Sequence, residues 1–267
     1  MIRSITHPTD FSPEGEAAFA HALALAMVGK ARFDLLHVGA ARPGKADWDK
    51  FPHVREKLEE WGHLPPGSAS GDVADKLGIA VRKVELKQDD PSEALASYVF
   101  DHLPDLVVMA SSARSGLARL LAGSVAGDLA RATLAPTLLF GREARGFVDP
   151  ASGAVRIGRV LVPVDHSPDA QDVIPVLQSL LEGTGAVLDF LHCGTSAPQL
   201  LGADGTPLSV RLIDAGAVDG ILAESDEASL IAMPTKGRQG LLDALRGSTT
   251  ERVLAEARVP VLALPVG

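Results

Sequence analysis

The chain has 267 residues, of which 46% are hydrophobic and 22% are charged, and its formal net charge is -9. This composition indicates a globular protein, and the acidic charge argues against a protein that binds the nucleic-acid backbone, which needs a basic face. A single cysteine, Cys193, excludes an internal disulfide bond and is typical of a reducing compartment.

The first eight residues lack the apolar core of a signal peptide, and the apolar run at 17–28 is too short to span a bilayer. We therefore expect a cytoplasmic protein that binds neither nucleic acid nor membrane.

In the first half of the chain, apolar runs typical of buried strands alternate with segments of helical spacing. Ser12 is the expected N-cap of the first helix, and the Asp-Pro-Ser-Glu sequence at 90–93 is a capping box with proline at the first helical position. We predict strands at 2–9, 33–38, 79–86, 106–110 and 137–140. The predicted helices are 14–28, 47–61, 72–77, 91–101 and 125–132.

The second half repeats the first, because landmarks recur at two constant offsets. Asp10 and Asp165 are 155 positions apart, as are His37 and His192. Four later pairs are 124 positions apart: Met109 and Met233, Gly116 and Gly240, Gly123 and Gly247, and Pro136 and Pro260. The smaller offset shows that the second copy has lost residues, most of them between its second and third strands.

The second copy has predicted strands at 160–164, 186–192, 209–213, 228–232 and 260–263, and helices at 169–182, 218–223 and 249–256. Residues 193–208, rich in Gly, Pro and Ser, replace the helix at 47–61 that carries Trp48 and Trp61. We expect a loop there. The predicted domains are 1–145 and 157–267, joined by a linker at 146–156.

The alternation of helices with nearly continuous apolar strands predicts parallel sheets covered on both faces. The expected fold is α/β, with two tandem open-sheet domains of the Rossmann-like kind. Each domain would have a five-stranded parallel sheet, and the second would lack the helix after its second strand.

A glycine-containing loop at 233–248 lies between a predicted strand and a predicted helix. Backbone N–H groups of such a loop, with the positive end of the helix behind Gly247 and Ser248, form an anion cradle. Glycine matters there because a side chain would keep the backbone away from a phosphate.

These landmarks resemble the universal stress protein family, in a tandem form with two domains in one polypeptide. Its nucleotide-binding members share the fold of the adenine nucleotide alpha hydrolases. They carry an aspartate at the end of strand one and the pattern G-x2-G-x9-G-[ST] after strand four. Asp10 and Asp165 match that aspartate, and Gly237 with Gly247-Ser248 match the second half of the pattern.

The two repeats depart from the pattern to different degrees. Ala110 and Ala113 replace both early glycines of the first repeat, and Pro234 replaces one in the second. A left-handed alanine costs roughly 1–2 kcal/mol, and proline lacks an N–H donor. The first site is therefore predicted to be degenerate and the second closer to competent.

The resemblance implies an adenine nucleotide, ATP or AMP, held mainly in the second repeat, with Mg²⁺ if it is ATP. The residues implied are Val164, Asp165, Cys193, Met233, Thr235, Gly237, Arg238, Gly247, Ser248 and Thr249. The degenerate counterpart comprises Thr9, Asp10, Val38, Ser111, Ala113, Gly123 and Ser124.

Each candidate also has a structural reading that stays open. Both aspartates can act as caps of the turn after strand one, and His37 and His192 are typical of packed, hydrogen-bonded histidines. Cys193 fits a small core residue, and the loop charges Lys236 and Arg238 fit solvated side chains. The tryptophans Trp48 and Trp61 are expected to pack onto the sheet, with partner binding as the alternative.

The function indicated is a stress-response or regulatory protein that senses a nucleotide. No P-loop, G-x-G-x-x-G or metal-binding spacing is present in the sequence, so we expect no enzyme, no catalytic residue and no metal site, with slow ATP hydrolysis left open. The alternative is a nucleotide-free scaffold that acts through protein contacts. The resemblance also implies that the last strands, 137–140 and 261–263, pair within the chain as a pseudo-dimer, or that two chains form a homodimer.

Overall fold

The computed structural model describes residues 2–39, 47–110, 135–141, 143–236 and 249–266. The first half contains β1 Ser4–Pro8, β2 Arg32–Gly39, β3 Ala80–Lys87, β4 Leu106–Ala110 and β5 Thr137–Phe140. The second half contains β6 Arg159–Pro163, β7 Val187–Cys193, β8 Val210–Ile213, β9 Leu230–Lys236 and β10 Val261–Val266. These strands form one sheet in the order β3-β2-β1-β4-β5-β10-β9-β6-β7-β8.

The described helices of the first half are α1 Glu16–Gly29, α2 Val54–Glu60, α3 Asp72–Leu77 and α4 Pro91–His102. Those of the second half are α5 Ile174–Leu180, α6 Ala217–Ser225 and α7 Thr249–Glu256. Short 3-10 turns lie at Pro13–Gly15, Trp48–Lys50 and Ala170–Val173. The helix predicted at 125–132 falls outside the described residues.

Each half of the sheet is parallel, and the halves join through an antiparallel pair. Leu138 of β5 lies opposite Leu262 of β10, within a register that also pairs Leu139 with Val261 and Thr137 with Ala263. From this join the strand order reads the same in both directions. The chain therefore has the predicted α/β fold, with its two last strands paired inside one polypeptide.

The largest hydrophobic core runs through both halves on one face of the sheet. It includes Ile5, Leu23 and Phe33 from the first half and Val160 and Ile174 from the second, all at most 1% exposed. Burying one such side chain contributes about 1.5–3 kcal/mol, so this layer is a large part of the folding free energy.

The helix predicted at 47–61 is wrong as a continuous element. A 3-10 turn, Trp48–Lys50, ends at Phe51, whose backbone is extended with φ −64° and ψ 145°, and α2 begins only at Val54. Pro52 causes the break, because proline cannot donate a backbone hydrogen bond and forces the residue before it out of helical geometry.

Two details of helix starts also differ from expectation. Ser12 makes no capping bond to the first helix, and its hydroxyl instead donates to Asp10 Oδ1 at 2.6 Å. The helix predicted at 169–182 is a 3-10 turn followed by α5, with Asp169 accepting from the Gln171 N–H at the start. In both places an aspartate two residues upstream captures the first donors of the turn.

The segment 146–156, predicted as a linker, is packed against the first repeat. His21 Nε2 accepts hydrogen bonds from the backbone N–H groups of Phe147 and Val148, at 2.9 and 3.2 Å. The Trp61 indole donates to the Pro150 carbonyl at 3.0 Å. Trp61 is thus buried between the core and this connecting segment, whereas Trp48 remains 49% exposed.

An ion cluster ties the second strand to the third in both repeats. Arg82 of β3 donates to both carboxylate oxygens of Asp34, at 2.7 and 2.8 Å, and Arg211 does the same for Asp189 at 2.9 Å. Burial pushes the pKa of Asp34 up, but hydrogen bonds and charges from the arginines outweigh it and hold that pKa below its usual range. Both edge strands of the sheet are therefore fixed by paired charges.

Among the described helices, none has the length and apolar character needed to cross a bilayer.

Candidate functional site

The candidate sites lie where the strand order reverses, at the carboxyl ends of β1 and β4 in the first repeat and of β6 and β9 in the second. In open α/β sheets, the loops diverge at such a switch point and leave a crevice for a ligand. The residues after β1 and β6 therefore decide what each crevice accepts.

Both crevices share one backbone frame held by a histidine. His37 Nδ1 lies 2.9 Å from the Thr9 carbonyl oxygen, and His192 Nδ1 lies 2.9 Å from that of Val164. Since a carbonyl oxygen can only accept, Nδ1 carries the proton in each ring. The paired histidines are thus hydrogen-bonded, packed residues, as their position in apolar strands predicts.

In the first repeat, Asp10 caps the turn that follows β1. Its Oδ1 atom accepts both the backbone N–H of Ser12, at 3.0 Å, and the Ser12 hydroxyl, at 2.6 Å. Asp10 therefore acts as a cap of the turn after β1, which is the structural role that the sequence left open for it.

An aromatic ring follows Asp10 and packs against the end of β2. Phe11 adopts a left-handed backbone conformation, φ 62°, which costs about 1–2 kcal/mol for a residue with a side chain. Its ring stacks on His37, with centroids 4.0 Å apart and planes 26° apart, and also contacts Phe51. The ring therefore lies against the end of β2 on the face of His37, whereas Val38 packs on the opposite face against Leu36 and Tyr98.

In the second repeat, Asp165 is open to solvent, with its side chain 68% exposed. Its Oδ1 atom accepts the His166 N–H at 2.7 Å and lies 3.9 Å from His192 Nδ1. His166 occupies the position of Phe11, but its ring meets His192 edge-on at 5.5 Å and is tied to the Ser196 carbonyl. The carboxylate is therefore accessible to a ligand.

Cys193 ends the neighbouring strand β7 and is partly buried. Burial raises the pKa of its thiol, and the negative charges of Asp165 and Glu224 raise it further. The thiol is therefore neutral at pH 7 and provides a weakly polar wall, not a reactive thiolate.

Three further predicted residues come from β9 and α7. Thr235 is 3% exposed, and its Oγ1 atom has no hydrogen-bond partner among the described residues. Thr249 is the first residue of α7 and is partly buried. Met233 is 5% exposed and belongs to the core cluster that includes Leu254.

The structure brings four of the predicted residues together at the carboxyl ends of neighbouring strands. Because β6 lies between β7 and β9, Val164, Asp165, Cys193 and Thr235 sit at the ends of three adjacent strands. The remaining predicted residues lie outside the described part of the chain: Gly237, Arg238, Gly247 and Ser248 in the second repeat, and Ser111, Ala113, Gly123 and Ser124 in the first. The phosphate cradle itself therefore stays a prediction.

Within the described ranges, no group of three or more His, Cys, Asp or Glu residues is placed to hold a metal ion.

Sequence reasoning missed the residue that follows each strand-end aspartate. Phe11 and His166 are aligned by the 155-residue offset, so the repeat itself could have drawn attention to them. A left-handed phenylalanine stacked on a histidine has no local sequence signal, because bulky residues rarely adopt that conformation.

The profile of the universal stress protein family matches residues 1–140 and 197–265. The chain belongs to the universal stress protein family. In this chain, Val164, Asp165 and Cys193 lie between the two segments that match the profile. Their assignment to the nucleotide site therefore depends on the internal repeat.

Relatives cover nearly the whole chain. A universal stress protein of Mycobacterium tuberculosis is 25% identical over 287 residues, covering 95% of this chain and 94% of the relative. The crystal structure of a universal stress protein from Archaeoglobus fulgidus has a TM-score of 0.65 at 22% identity, covering 99% of this chain and 97% of that chain. A functionally unknown protein from Pseudomonas aeruginosa has a TM-score of 0.62 at 16% identity, covering 99% and 92%. These structures share the tandem fold.

Proposed function

We propose that this universal stress protein binds an adenine nucleotide, ATP or AMP, mainly in its second repeat, and uses it as a regulatory signal in a stress response. The contrast between the two strand-end aspartates carries the proposal. Asp10 is engaged by Ser12 at both its N–H and its hydroxyl, whereas the Asp165 side chain is 68% exposed.

An exposed carboxylate suits the base of the nucleotide. The exocyclic amino group of adenine donates hydrogen bonds, and Asp165 can accept one while Cys193 on the adjacent strand provides a weakly polar surface. In the first repeat the corresponding carboxylate, Asp10, already accepts two hydrogen bonds from Ser12. The second crevice is therefore the better acceptor of a planar base.

The second repeat also has a buried polar atom that a nucleotide would satisfy. Thr235 Oγ1 is buried and makes no hydrogen bond to any described residue. Buried hydroxyl groups in native proteins are nearly always hydrogen-bonded, and a ribose hydroxyl or phosphate oxygen supplies a partner. The residues present thus fit the group that the family resemblance implies.

We further propose binding without rapid turnover. Across the described residues no cluster suitable for Mg²⁺ is present, and Cys193 is held neutral by burial. When ATP is the ligand, Mg²⁺ would arrive with its phosphates. The chain would then hold and report the nucleotide in the cytoplasm, and the paired strands β5 and β10 would take the place of a homodimer contact.

The test is a calorimetric titration of ligand-stripped protein with ATP and Mg²⁺, comparing Asp165→Asn with the matched variant Asp10→Asn. We expect one saturable site in the wild type. A hydrogen bond to a charged group contributes about 1.5–3 kcal/mol, so Asp165→Asn should weaken binding by about 10- to 100-fold. Asp10→Asn should leave the affinity unchanged.

Other results would point elsewhere. Loss of binding in Asp10→Asn alone would place the site in the first repeat. No heat and no thermal stabilisation at millimolar ATP, where a ligand of ~10 μM affinity adds ~2.7 kcal/mol, would favour a nucleotide-free scaffold acting through protein contacts. ATP consumption that disappears in Asp165→Asn would instead indicate a slow ATPase.

A further inference from the structure

The first repeat contains a cavity of about 480 Å³ between α1 and α2. Its apolar walls are the rings of Phe11, Phe19 and Phe51. Pockets that hold small molecules typically measure about 300–1,000 Å³, so the cavity has the size of a ligand site.

This cavity is separate from the predicted nucleotide crevice. Of the three described residues that the family resemblance assigns to the first crevice, Thr9 lines the cavity, while Asp10 and Val38 do not. The cavity lies on the face of the sheet covered by α1, and the Phe11 ring, stacked on His37, is one of its walls. Val38 packs on the opposite face, against Leu36 and Tyr98. A ligand there would use a different surface of the repeat.

His7 lines the cavity and has an unused acceptor. Its Nδ1 atom lies 2.8 Å from the Val108 carbonyl oxygen, which can only accept, so Nδ1 carries the proton. Burial lowers the pKa of His7 to about 4, and the ring is therefore neutral at pH 7 with Nε2 as an acceptor. Nε2 is buried and has no partner among the described residues.

The second repeat shows that the fold does not require this histidine. Val162 lies at the equivalent position, 155 residues later, and is completely buried. The second repeat also has no described helix between β7 and β8, where the first has α2. His7 and α2, which both line the cavity, are thus features of the first repeat that the second repeat lacks among its described residues.

The charged groups at the rim already have partners, and for Lys50 the partner is Asp47, at 3.1 Å. Lys57 contacts Glu16 at 3.6 Å and Glu60 at 3.0 Å, bridging α2 to the start of α1. His53 lies 3.4 Å from Glu56. This internal pairing favours an uncharged ligand over an ionic one, because an ion would have to compete with existing partners.

We propose that the first repeat holds a second ligand site in this cavity, which takes a small uncharged aromatic molecule and receives one hydrogen bond from it at His7 Nε2. The three phenylalanine rings supply the stacking and edge contacts that aromatic ligands prefer. The site does not depend on nucleotide binding by the second repeat.

The test compares indole with 1-methylindole, which has nearly the same shape but no N–H donor, by calorimetry on the full chain. We expect the wild type to bind indole about tenfold more tightly. The variant His7→Val has the residue that the second repeat carries at this position, and it should bind the two probes equally. The nitrogen-15 resonance of His7 Nε2 should shift with indole and not with 1-methylindole.

Equal affinity of the wild type for both probes, or an unmoved His7 Nε2 resonance at saturating indole, would overturn the proposal. The comparison in the wild type stands even if His7→Val unfolds. Titration of ATP in the same samples should give the same affinity with and without indole, which separates this site from the nucleotide crevice.

Discussion

At the scale of residues, the two crevices differ by substitutions on a shared frame. His37 and His192 donate from Nδ1 to equivalent backbone carbonyl oxygens, those of Thr9 and Val164, at 2.9 Å in each repeat. What changes is the next residue, Phe11 or His166, which either stacks on the histidine or meets it edge-on. The two repeats therefore share one backbone frame and differ in the ring that contacts its histidine.

Two buried histidines make stability sensitive to mild acid. Burial lowers the pKa of both His7 and His21 to about 4, whereas in the unfolded chain it is about 6.5. Because the unfolded state binds these protons first, stability is full above pH 6.5 and falls as pH decreases toward 4. Each histidine should remove about 1.4 kcal/mol per pH unit within this window.

Urea unfolding between pH 6.5 and 4.5 measures this dependence. His7→Val should lower the slope of unfolding free energy against pH by about 1.4 kcal/mol per unit. Asp34 and Asp189, whose pKa values are lowered by arginine partners against the effect of burial, contribute only at lower pH. An unchanged slope in His7→Val would show that His7 titrates normally in the folded protein.

At the scale of elements, the connecting segment 146–156 is part of the first repeat's packing. An antiparallel bridge between Val148 and Val155 closes it into a turn, and Trp61 packs against that turn from α2's end. Gly153 makes this contact possible, because its φ is +68° and an added Cβ would lie 2.3 Å from the Trp61 ring.

Gly153→Ala should therefore destabilise the protein more than a glycine substitution without a neighbour. Gly67 is the matched control, since its φ is +77° and an added Cβ would meet nothing within 4 Å. Gly67→Ala should cost about 1–2 kcal/mol for the left-handed backbone, and Gly153→Ala about 1–3 kcal/mol more for overpacking. Equal losses in denaturant unfolding would mean that Trp61 moves aside.

At the scale of the whole molecule, the ten-stranded sheet buries an edge that each repeat alone would expose. β5 and β10 pair along Leu138 and Leu262, and Leu139 lies in the same core cluster as Val253 of α7. The repeats thus share both a strand pair and a core layer. Covalent linkage through 146–156 should not be required to keep them together.

A protease site inserted at 150–152 tests this expectation. After cleavage, the two fragments should elute together on size exclusion as one particle of the intact mass, 27.8 kDa. The paired strands and shared core hold them, so separation should need denaturant. Fragments that elute apart without denaturant would show that the strand pair is too weak to hold the repeats.

The sequence by itself determined the order of elements, the duplication and the positions of the strand-end aspartates. The capping box at 90–93 places Asp90 against the N–H groups of Ser92 and Glu93, at 2.8 and 3.2 Å, and the strands at 106–110 and 137–140 have the predicted bounds. These features depend on residues within a few positions of each other, so local patterns are enough to predict them. The helix break at Pro52 could also have been predicted from the sequence. It was missed because the helical spacing of apolar residues on both sides of Pro52 was given more weight than the proline itself.

Tertiary structure alone decided which contacts each strand-end aspartate makes and where the first repeat has its cavity. The stacking of Phe11 on His37 joins residues 26 positions apart, and the bond from Trp61 to Pro150 spans 89. Such contacts depend on strand register and on how helices lie over the sheet, which no local window contains. The neutral state of His7 likewise follows from its burial by other elements, because desolvation is a property of the packed molecule and not of the residue.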